Sequence, residues 1–260
     1  MKLSVIIPCY NEVDNVIKLH DELLPVIRKL LVNSGTSVLE QFESAEMLFV
    51  DDGSHDDTFV KLKECFGGEA NSRLSFQFLK HETNAGLGAA IRTGFVHASG
   101  DILLTVDSDG TYKFSGIPEL LNYLTPGVDI VTASPYHPDG GVIGVPAYRL
   151  FFSKGSSLLY RILVDPKVHT YTCLFRAYRS RVVRQVSFAS NDFLGGTELL
   201  VKAMLNGFRT VEYPAVLHKR MYGVSKARIA GTIRSHLKFM GWVLLQRLRL
   251  TFGSHVHEPV

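Results

Sequence analysis

The first half of the chain alternates short apolar runs with segments of helical periodicity, and this alternation limits the folds open to it. Five runs rich in β-branched or aromatic residues predict strands, at residues 3–7, 47–50, 74–79, 102–106 and 129–133. The intervening segments predict helices, at residues 13–32, 57–66, 85–98 and 117–124. We therefore predict an α/β fold with a largely parallel sheet that is buried on both faces.

The overall composition argues against several other classes of protein. Hydrophobic residues make up 46% of the 260 positions, enough for one large globular core, and no apolar stretch is long enough to span a membrane. The net charge of +3 is too small to indicate a nucleic-acid partner. The three cysteines form no CxxC or Cys/His cluster, so neither a disulfide framework nor a zinc site is predicted. The N-terminal apolar run is too short for a signal peptide, and we expect a cytoplasmic protein.

Polar clusters follow three of the predicted strands at the point where each strand ends. They read PCYNE at 8–12, DDGSHDDT at 51–58 and DSDGTY at 107–112. In open α/β sheets, ligands bind outside the carboxyl ends of the strands. The sequence therefore predicts that the functional site lies at this edge of the sheet.

The spaced pair Asp107 and Asp109 has the chemistry of a divalent-cation site. Mg²⁺ and Mn²⁺ prefer carboxylate oxygens and take water or substrate phosphates as their other ligands, so such a pair is expected beside a diphosphate. The alternative is a turn-forming pair without a ligand. Asp51 and Asp52 could accept hydrogen bonds from a ribose or a base, whereas Asp56 or Asp57 is expected to cap the next helix.

The second half is less regular. A Pro- and Gly-rich segment at 134–149 predicts a binding loop, followed by a helix at 150–163, a strand at 170–178, a helix at 199–205 and a strand at 211–217. Segment 219–260 is basic, and it predicts an amphipathic helix with apolar residues at Ile229, Ile233, Leu237, Met240, Leu244 and Leu248. Such a helix suits an anionic membrane surface, or alternatively packs on its own domain.

Six segments together resemble one enzyme family. SVIIPCYNE, FVDDGSHDDT, NAGLGAAIRTGF and GDILLTVDSDG have the order and spacing seen in inverting family 2 glycosyltransferases. Two later segments, YRLFFSKGSSLLYR and RMYGVSK, resemble the acceptor-side motifs of one group in that family. Within that family the chain is similar to polyprenol-phosphate sugar synthases of the dolichol-phosphate mannose synthase type. The resemblance implies a GT-A fold, with a mixed, mostly parallel sheet flanked by helices. It also implies a catalytic domain at 1–218 followed by a basic amphipathic helical segment at 219–260.

The resemblance also implies roles for individual residues. Those that would line the nucleotide pocket are Pro8, Tyr10, Glu12, Asp51 and Asp52. Asp107 and Asp109 would hold Mg²⁺ or Mn²⁺, Asp109 being catalytic. Arg149, also catalytic, and Ser153 would contact the acceptor phosphate, while Arg220 and Lys226 would contact the phosphates of donor or product. Two positions depart from the family's usual pattern, because Thr111 replaces a frequent Gln and Pro135 a frequent Arg.

The nature of the acceptor decides whether a general base is needed. A phosphate acceptor is ionised near neutral pH and needs cations such as Arg149, Arg220 and Lys226, whereas a sugar hydroxyl needs a base within hydrogen-bond reach. Glu198 is the candidate base, although a glutamate in the first turn of a helix also stabilises the helix dipole.

We therefore expect a metal-dependent inverting transferase that moves a hexose from a nucleoside-diphosphate sugar to a polyprenyl phosphate at the cytoplasmic membrane face. The alternatives are a soluble transferase with a hydroxyl acceptor and a non-catalytic nucleotide-sugar binding module. A dinucleotide oxidoreductase is disfavoured because no GxGxxG follows the first strand.

Overall fold

The structure is a computed structural model that describes residues 1–32, 42–220 and 229–253. The strands within these residues are β1 (Lys2–Cys9), β2 (Ser44–Asp51), β3 (Leu74–Lys80), β4 (Ile102–Thr105), β5 (Ile130–Ser134), β6 (Gly141–Ile143), β7 (Arg176–Arg179), β8 (Thr210–Pro214) and β9 (Val216–His218). Seven of them form one sheet in the order β3-β2-β1-β4-β7-β5-β8, and β6 pairs with β9. The five strands expected in the first half are confirmed.

The order of the strands reverses at one point of the sheet. From β1 the chain adds β2 and then β3 on one side, whereas β4 lies on the other side. β1 is parallel to both β2 and β4, and only β7 runs antiparallel to its neighbours in the large sheet. The reversal of strand order between β1 and β4 is a topological switch point, where α/β sheets bind their ligands.

Helices cover both faces of the sheet. They are α1 (Val16–Lys18), which continues through a π-helical turn (Leu19–Leu23) into α2 (Leu24–Val32), then α3 (Thr58–Phe66), α4 (Leu87–His97), α5 (Ile117–Asn122), α6 (Ala147–Leu163), α7 (Ser180–Gln185), α8 (Gly195–Leu205) and α9 (Ile229–Gly253). Side chains alternate across β1, so Val5 and Ile7 join a core with α2, α3 and α5, while Ile6 joins a second core with α4, α6, α8 and α9. The fold is a three-layer α/β/α arrangement.

The second half departs from the predicted elements in four ways. The strand expected at 170–178 is confined to β7, because side chains take the preceding backbone donors: Thr170 N–H bonds Glu212 and Tyr171 N–H bonds Ser157. The strand expected at 211–217 is split into β8 and β9, which belong to different sheets. The loop expected at 134–149 contains β6 and the start of α6, and the short helix α7 was not predicted.

The helix expected near the C-terminus is present as α9, but its buried side differs from the predicted stripe. His236, Phe239, Met240 and Val243 are buried against the second core. Leu237, Leu244 and Leu248 are exposed. Within the described ranges, no helix is both long and apolar enough to cross a membrane. The division of the chain at residue 218 stays a prediction.

Candidate active site

Hydrogen bonds join the turn after β1 to the loop after β2. Asn11, a non-glycine residue with φ of +50°, donates its N–H to Ser54 Oγ at 2.9 Å and accepts from His55 N–H at 2.8 Å. Glu12 N–H bonds Thr58 Oγ1 at 2.8 Å. Pro8 is buried in β1, and Tyr10 packs edge-on against His55. The first two polar clusters are thus held as one rigid edge.

The neighbouring aspartates Asp51 and Asp52 differ in their surroundings. Oδ1 of Asp51 accepts from the Ser54 backbone, but its Oδ2 is buried without a hydrogen-bond partner among the described residues; the nearest cation, Lys80 Nζ, is 4.0 Å away. Both oxygens of Asp52 are engaged, by His81 and by the loop that precedes α4. Asp51 therefore retains a free acceptor for a ligand, whereas Asp52 shapes the loop.

The glycines of the NAGLGAA segment bring α4 close to another loop. Gly88 N–H donates to Asn191 O at 2.7 Å and to Asp192 O at 3.2 Å, so the first turn of α4 is capped by carbonyl groups. A Cβ at Gly88 would lie 2.2 Å from Ser190 O. These N–H groups are not available to a phosphate, and the glycines here serve close backbone packing.

The predicted metal ligands Asp107 and Asp109 follow β4. Asp109 is buried, and its Oδ1 accepts from Thr111 N–H at 3.0 Å, while Thr111 O accepts from His218 N–H in β9. Burial, and then the charge of Asp109, raise the pKa of Asp107 to about 8, against the opposing effect of Arg220 and Arg149. Two carboxylates crowded in this way are stabilised by a bound cation.

Arg220 is brought from the distant RMYGVSK segment to both acidic clusters. Its Nε lies 2.7 Å from Asp109 Oδ2, and its Nη2 lies 3.2 Å from Glu12 Oε1. Burial alone would lower the pKa of Arg220, but the charges of Asp109 and Glu12 together raise it. Lys226, the other predicted phosphate contact in this segment, lies outside the described residues.

The predicted acceptor residues Arg149 and Ser153 lie one turn apart on α6. Arg149 is exposed, and its charge lowers the proton affinity of Asp107, so it lies within electrostatic reach of the aspartate pair. Ser153 Oγ is 2.8 Å from Thr172 Oγ1. Lys154 lies over the ring of Tyr136, with its Nζ 5.4 Å from the ring centroid. This end of α6 is rich in cations and hydroxyls.

The candidate base Glu198 is engaged in the structure. Its oxygens accept from Lys202 Nζ at 2.6 Å and from the N–H groups of Ala189 and Ser190 at 3.2 and 2.9 Å. Burial alone would raise the pKa of Glu198, but Lys202 and these hydrogen bonds lower it. The carboxylate fixes the loop before α8, and its role as a base stays a prediction.

Two residues near the site were not predicted. A Cβ at Gly110, which has φ of +61°, would lie 2.8 Å from Lys18 Nζ, so this lysine lies against the loop of the aspartate pair. His81 Nδ1 lies 2.6 Å from Asp52 Oδ1, and His81 Nε2 lies 2.9 Å from Thr93 Oγ1. Lys18 lies mid-helix and His81 at a strand end, and no spacing pattern marks either as functional.

The residues present fit a divalent cation only if a substrate completes its coordination. Within residues 1–32, 42–220 and 229–253, no three His, Cys, Asp or Glu side chains are grouped so as to hold a metal ion. Asp107 and Asp109 would supply two hard oxygen ligands, and the remainder would come from phosphate and water, as is usual for Mg²⁺.

Comparisons with known proteins identify the family of the chain. Residues 4–187 match the family model described as Glycosyl transferase family 2. A polyprenol monophosphomannose synthase from Mycolicibacterium smegmatis is 30% identical over 250 residues, which is 94% of this chain and 88% of the relative. A dolichol-phosphate mannosyltransferase from Pyrococcus furiosus is 30% identical over 248 residues, 93% of this chain but only 64% of the relative.

Solved structures share the architecture. Glucosyl-3-phosphoglycerate synthase from Mycobacterium tuberculosis, with Mn²⁺, UDP and glucosyl-3-phosphoglycerate, has a TM-score of 0.60 at 20% identity, covering 95% of this chain and 79% of that one. The same synthase with Mg²⁺ and UDP has a TM-score of 0.62 at 19% identity and the same coverage. Such identities bear on the fold alone. The predicted fold, a mixed and mostly parallel sheet flanked by helices, is confirmed.

Proposed function

Because this chain belongs to glycosyl transferase family 2, and is therefore a glycosyltransferase, we propose that it transfers a hexose from a nucleoside-diphosphate sugar to a polyprenyl phosphate. The names of the two relatives, a polyprenol monophosphomannose synthase and a dolichol-phosphate mannosyltransferase, favour mannose as the hexose.

The donor would bind at the switch point between β1 and β4. Oδ2 of Asp51, which has no hydrogen-bond partner among the described residues, is a buried acceptor suited to an N–H of the base or a ribose hydroxyl. Pro8, Tyr10 and Glu12 would line the same pocket, and Asp52 would contribute by shaping the loop before α4. Asp107 and Asp109 would hold Mg²⁺ or Mn²⁺ beside the diphosphate. A metal bound there would neutralise negative charge on the departing nucleotide.

The acceptor phosphate would bind between Arg149 and Ser153 on α6, with Arg220 and Lys226 toward the phosphates of donor and product. A phosphate monoester has a second pKa of about 6, so its oxygen is already ionised near neutral pH. It would attack the anomeric carbon on the side opposite the diphosphate and invert it, and no general base is required. The phosphate oxygen forms the new bond as the bond to the diphosphate breaks.

The observation that carries this choice of acceptor is the outer face of α6. Apolar residues at helical spacing line this face, and all are exposed: Tyr148, Phe151, Phe152, Leu158, Leu159 and Ile162. Phe151 and Ile162 are 74% and 71% exposed. An apolar stripe that points to solvent is typical of a partner or membrane surface. The same helix therefore carries the proposed contacts to the acceptor phosphate and a surface suited to lipid.

The second helix of this surface is α9, which packs against α6. The ring of Phe239 lies 6.3 Å from that of Tyr160, and the exposed side of α9 carries Leu237, Leu244, Arg234 and Lys238. Apolar and basic residues on one exposed helix favour an anionic membrane surface. We propose that the protein binds peripherally to the cytoplasmic face of a membrane through α6 and α9.

A transfer assay tests the proposal. UDP- and GDP-hexoses, each radiolabelled in the sugar, are incubated with Mn²⁺ or Mg²⁺ and vesicles that contain a polyprenyl phosphate or the matching polyprenol. Label is expected in the lipid only with the phosphorylated acceptor, and EDTA should abolish transfer. Transfer to soluble saccharides but not to lipid phosphate would favour the hydroxyl-acceptor alternative. Donor binding without transfer or hydrolysis would indicate a binding module.

A further inference from the structure

Arg220 pairs with the carboxylate of Asp109, which would be a ligand of the metal at the predicted site. Of the two oxygens of Asp109, Oδ1 accepts from a backbone N–H and Oδ2 lies 2.7 Å from Arg220 Nε. The same guanidinium reaches Glu12 at 3.2 Å, so it bridges the ends of the adjacent strands β1 and β4. A side-chain cation thus pairs with Asp109, one of the two predicted metal ligands, and with Glu12 beside it.

We propose that Arg220 acts as a counter-ion of Asp109 and Glu12 and competes with the metal until a diphosphate binds. This inference rests on the proposed function. A divalent ion bound beside an arginine would be repelled by it, and displacing the arginine breaks hydrogen bonds to two buried carboxylates. Metal alone therefore binds weakly.

A diphosphate changes this balance because it offers Arg220 a new anionic partner. Guanidinium groups bind phosphate oxygens as well as carboxylates, often in bidentate geometry. When the arginine moves from Asp109 to the diphosphate, the carboxylate becomes available to the metal without leaving an unpaired charge. Binding of the metal and binding of the diphosphate are thus coupled through one side chain, and this coupling is reciprocal.

The affinity for metal alone is the quantity that distinguishes this mechanism. A metal that contacts a diphosphate directly also makes the two ligands cooperative, so cooperativity by itself is not diagnostic. Removal of Arg220 is expected to strengthen the binding of metal alone by about 10- to 100-fold, since charge-assisted hydrogen bonds no longer oppose it. The same change is expected to weaken the binding of nucleoside diphosphate in the presence of metal.

Isothermal titration calorimetry on the full chain measures both effects. Mn²⁺ is titrated into the parent protein, Arg220→Met and Arg220→Lys, first alone and then with saturating UDP or GDP. Arg220→Lys keeps the charge with fewer contacts and should lie between the other two. Lys219→Met is the matched control, because the exposed neighbour Lys219 carries the same charge. Circular dichroism checks that each variant is folded, and Arg220→Lys serves as the test if Arg220→Met is not.

The outcomes separate the inference from the proposed function. Tighter binding of Mn²⁺ alone to Arg220→Met, with Lys219→Met unchanged, supports the counter-ion. Equal affinity for Mn²⁺ alone in the parent and the Arg220 variants, or an equal gain in Lys219→Met, overturns the counter-ion inference. If the parent protein still binds nucleotide in a metal-dependent way, the proposed transferase function is unaffected by that result. A parent protein that binds Mn²⁺ neither alone nor with UDP or GDP overturns the proposed metal site itself.

Discussion

Glu198 Oε1 lies 2.6 Å from Lys202 Nζ, one helical turn further along α8. Glu198 is buried, and it also accepts hydrogen bonds from the backbone N–H groups of residues 189 and 190 and from the Ser190 side chain. A general base must be free to take a proton from the substrate. The contacts of Glu198 instead hold the loop that caps α4.

Replacing Glu198 with Gln should therefore affect stability more than catalysis. We expect the free energy of unfolding to fall by about 1–3 kcal/mol, because charge-assisted bonds are lost, and kcat to fall by less than about fivefold. A general base would instead contribute about 10²- to 10⁴-fold to kcat. Urea unfolding and the lipid transfer assay measure the two quantities. Lys202→Met is the control, because it removes the same ion pair but keeps the carboxylate. A large loss of kcat in Glu198→Gln but not in Lys202→Met would show that Glu198 is the general base.

Gly88→Ala tests whether the glycines of α4 serve packing or phosphate binding. The new Cβ would meet the carbonyl oxygens of Ser190 and Asp192, so the free energy of unfolding should fall by about 2 kcal/mol or more. Gly68→Ala is the control, because nothing lies within 4 Å of its Cβ and a change within about 0.5 kcal/mol is expected. Unchanged stability with weakened donor binding would instead indicate a phosphate loop. Urea unfolding and calorimetry with UDP and GDP decide between them.

The strand ends could be predicted from sequence because their signal is local. A short apolar run followed by carboxylates is visible within ten residues, and the carboxyl ends of parallel strands necessarily share one edge. The first five strands and the position of Asp107 after β4 follow from this rule.

The pairing of residues far apart in the chain could not be predicted in the same way. Arg220 and Asp109 are 111 positions apart, and no sequence pattern in either segment indicates that they are in contact. Helical periodicity shows that α6 has an apolar face, but not whether that face is buried. Whether that face is exposed depends on which other elements of the chain pack against it. On α9, much of the predicted apolar stripe is likewise exposed.

Arg176 is a structural residue whose removal should be costly. It is fully buried and donates to Thr132 Oγ1 at 2.9 Å, Gly196 O at 2.6 Å and Tyr171 O at 2.5 Å. Arg176→Met would remove all three bonds from the core and leave Tyr171 O with only its bond from Thr197 Oγ1. We expect a loss of about 3 kcal/mol or more in urea unfolding. Arg184→Met, at an exposed position, should change stability by less than about 0.5 kcal/mol. Similar stability of the two variants would contradict this role.

His236 should make the attachment of α9 sensitive to acid. It is buried 3.0 Å from Tyr160 Oη, and burial lowers the pKa of His236 from 6.5, against the charge of Asp192. The unfolded chain therefore binds this proton more readily, and the stability that neutral His236 provides is lost as pH falls below about 6.5.

The measurement compares the parent protein with His236→Gln by urea unfolding between about pH 8 and pH 5.5. The difference in unfolding free energy should move in favour of the variant as the pH falls. Using the difference cancels His20, whose raised pKa, caused mainly by Asp21, has the opposite effect on stability. A difference that does not change with pH would show that His236 does not titrate in this way.

The exposed stripe of α6 should be required for membrane binding but not for folding. Phe151→Glu and Ile162→Glu place a charge where burial of each side chain in lipid would contribute about 1.5–3 kcal/mol, so binding to vesicles should weaken by about tenfold or more. Because both side chains already face solvent, the free energy of unfolding in urea should change by less than about 0.5 kcal/mol.

Val60→Glu is the matched control, since Val60 is 54% exposed on α3, which packs on the other face of the sheet. Sedimentation with phosphatidylcholine vesicles containing phosphatidylglycerol measures binding, and the transfer assay should lose lipid-acceptor activity in parallel. Equal sedimentation of the α6 variants and Val60→Glu would exclude α6 from the membrane surface and would direct attention to Leu237 and Leu244 on α9.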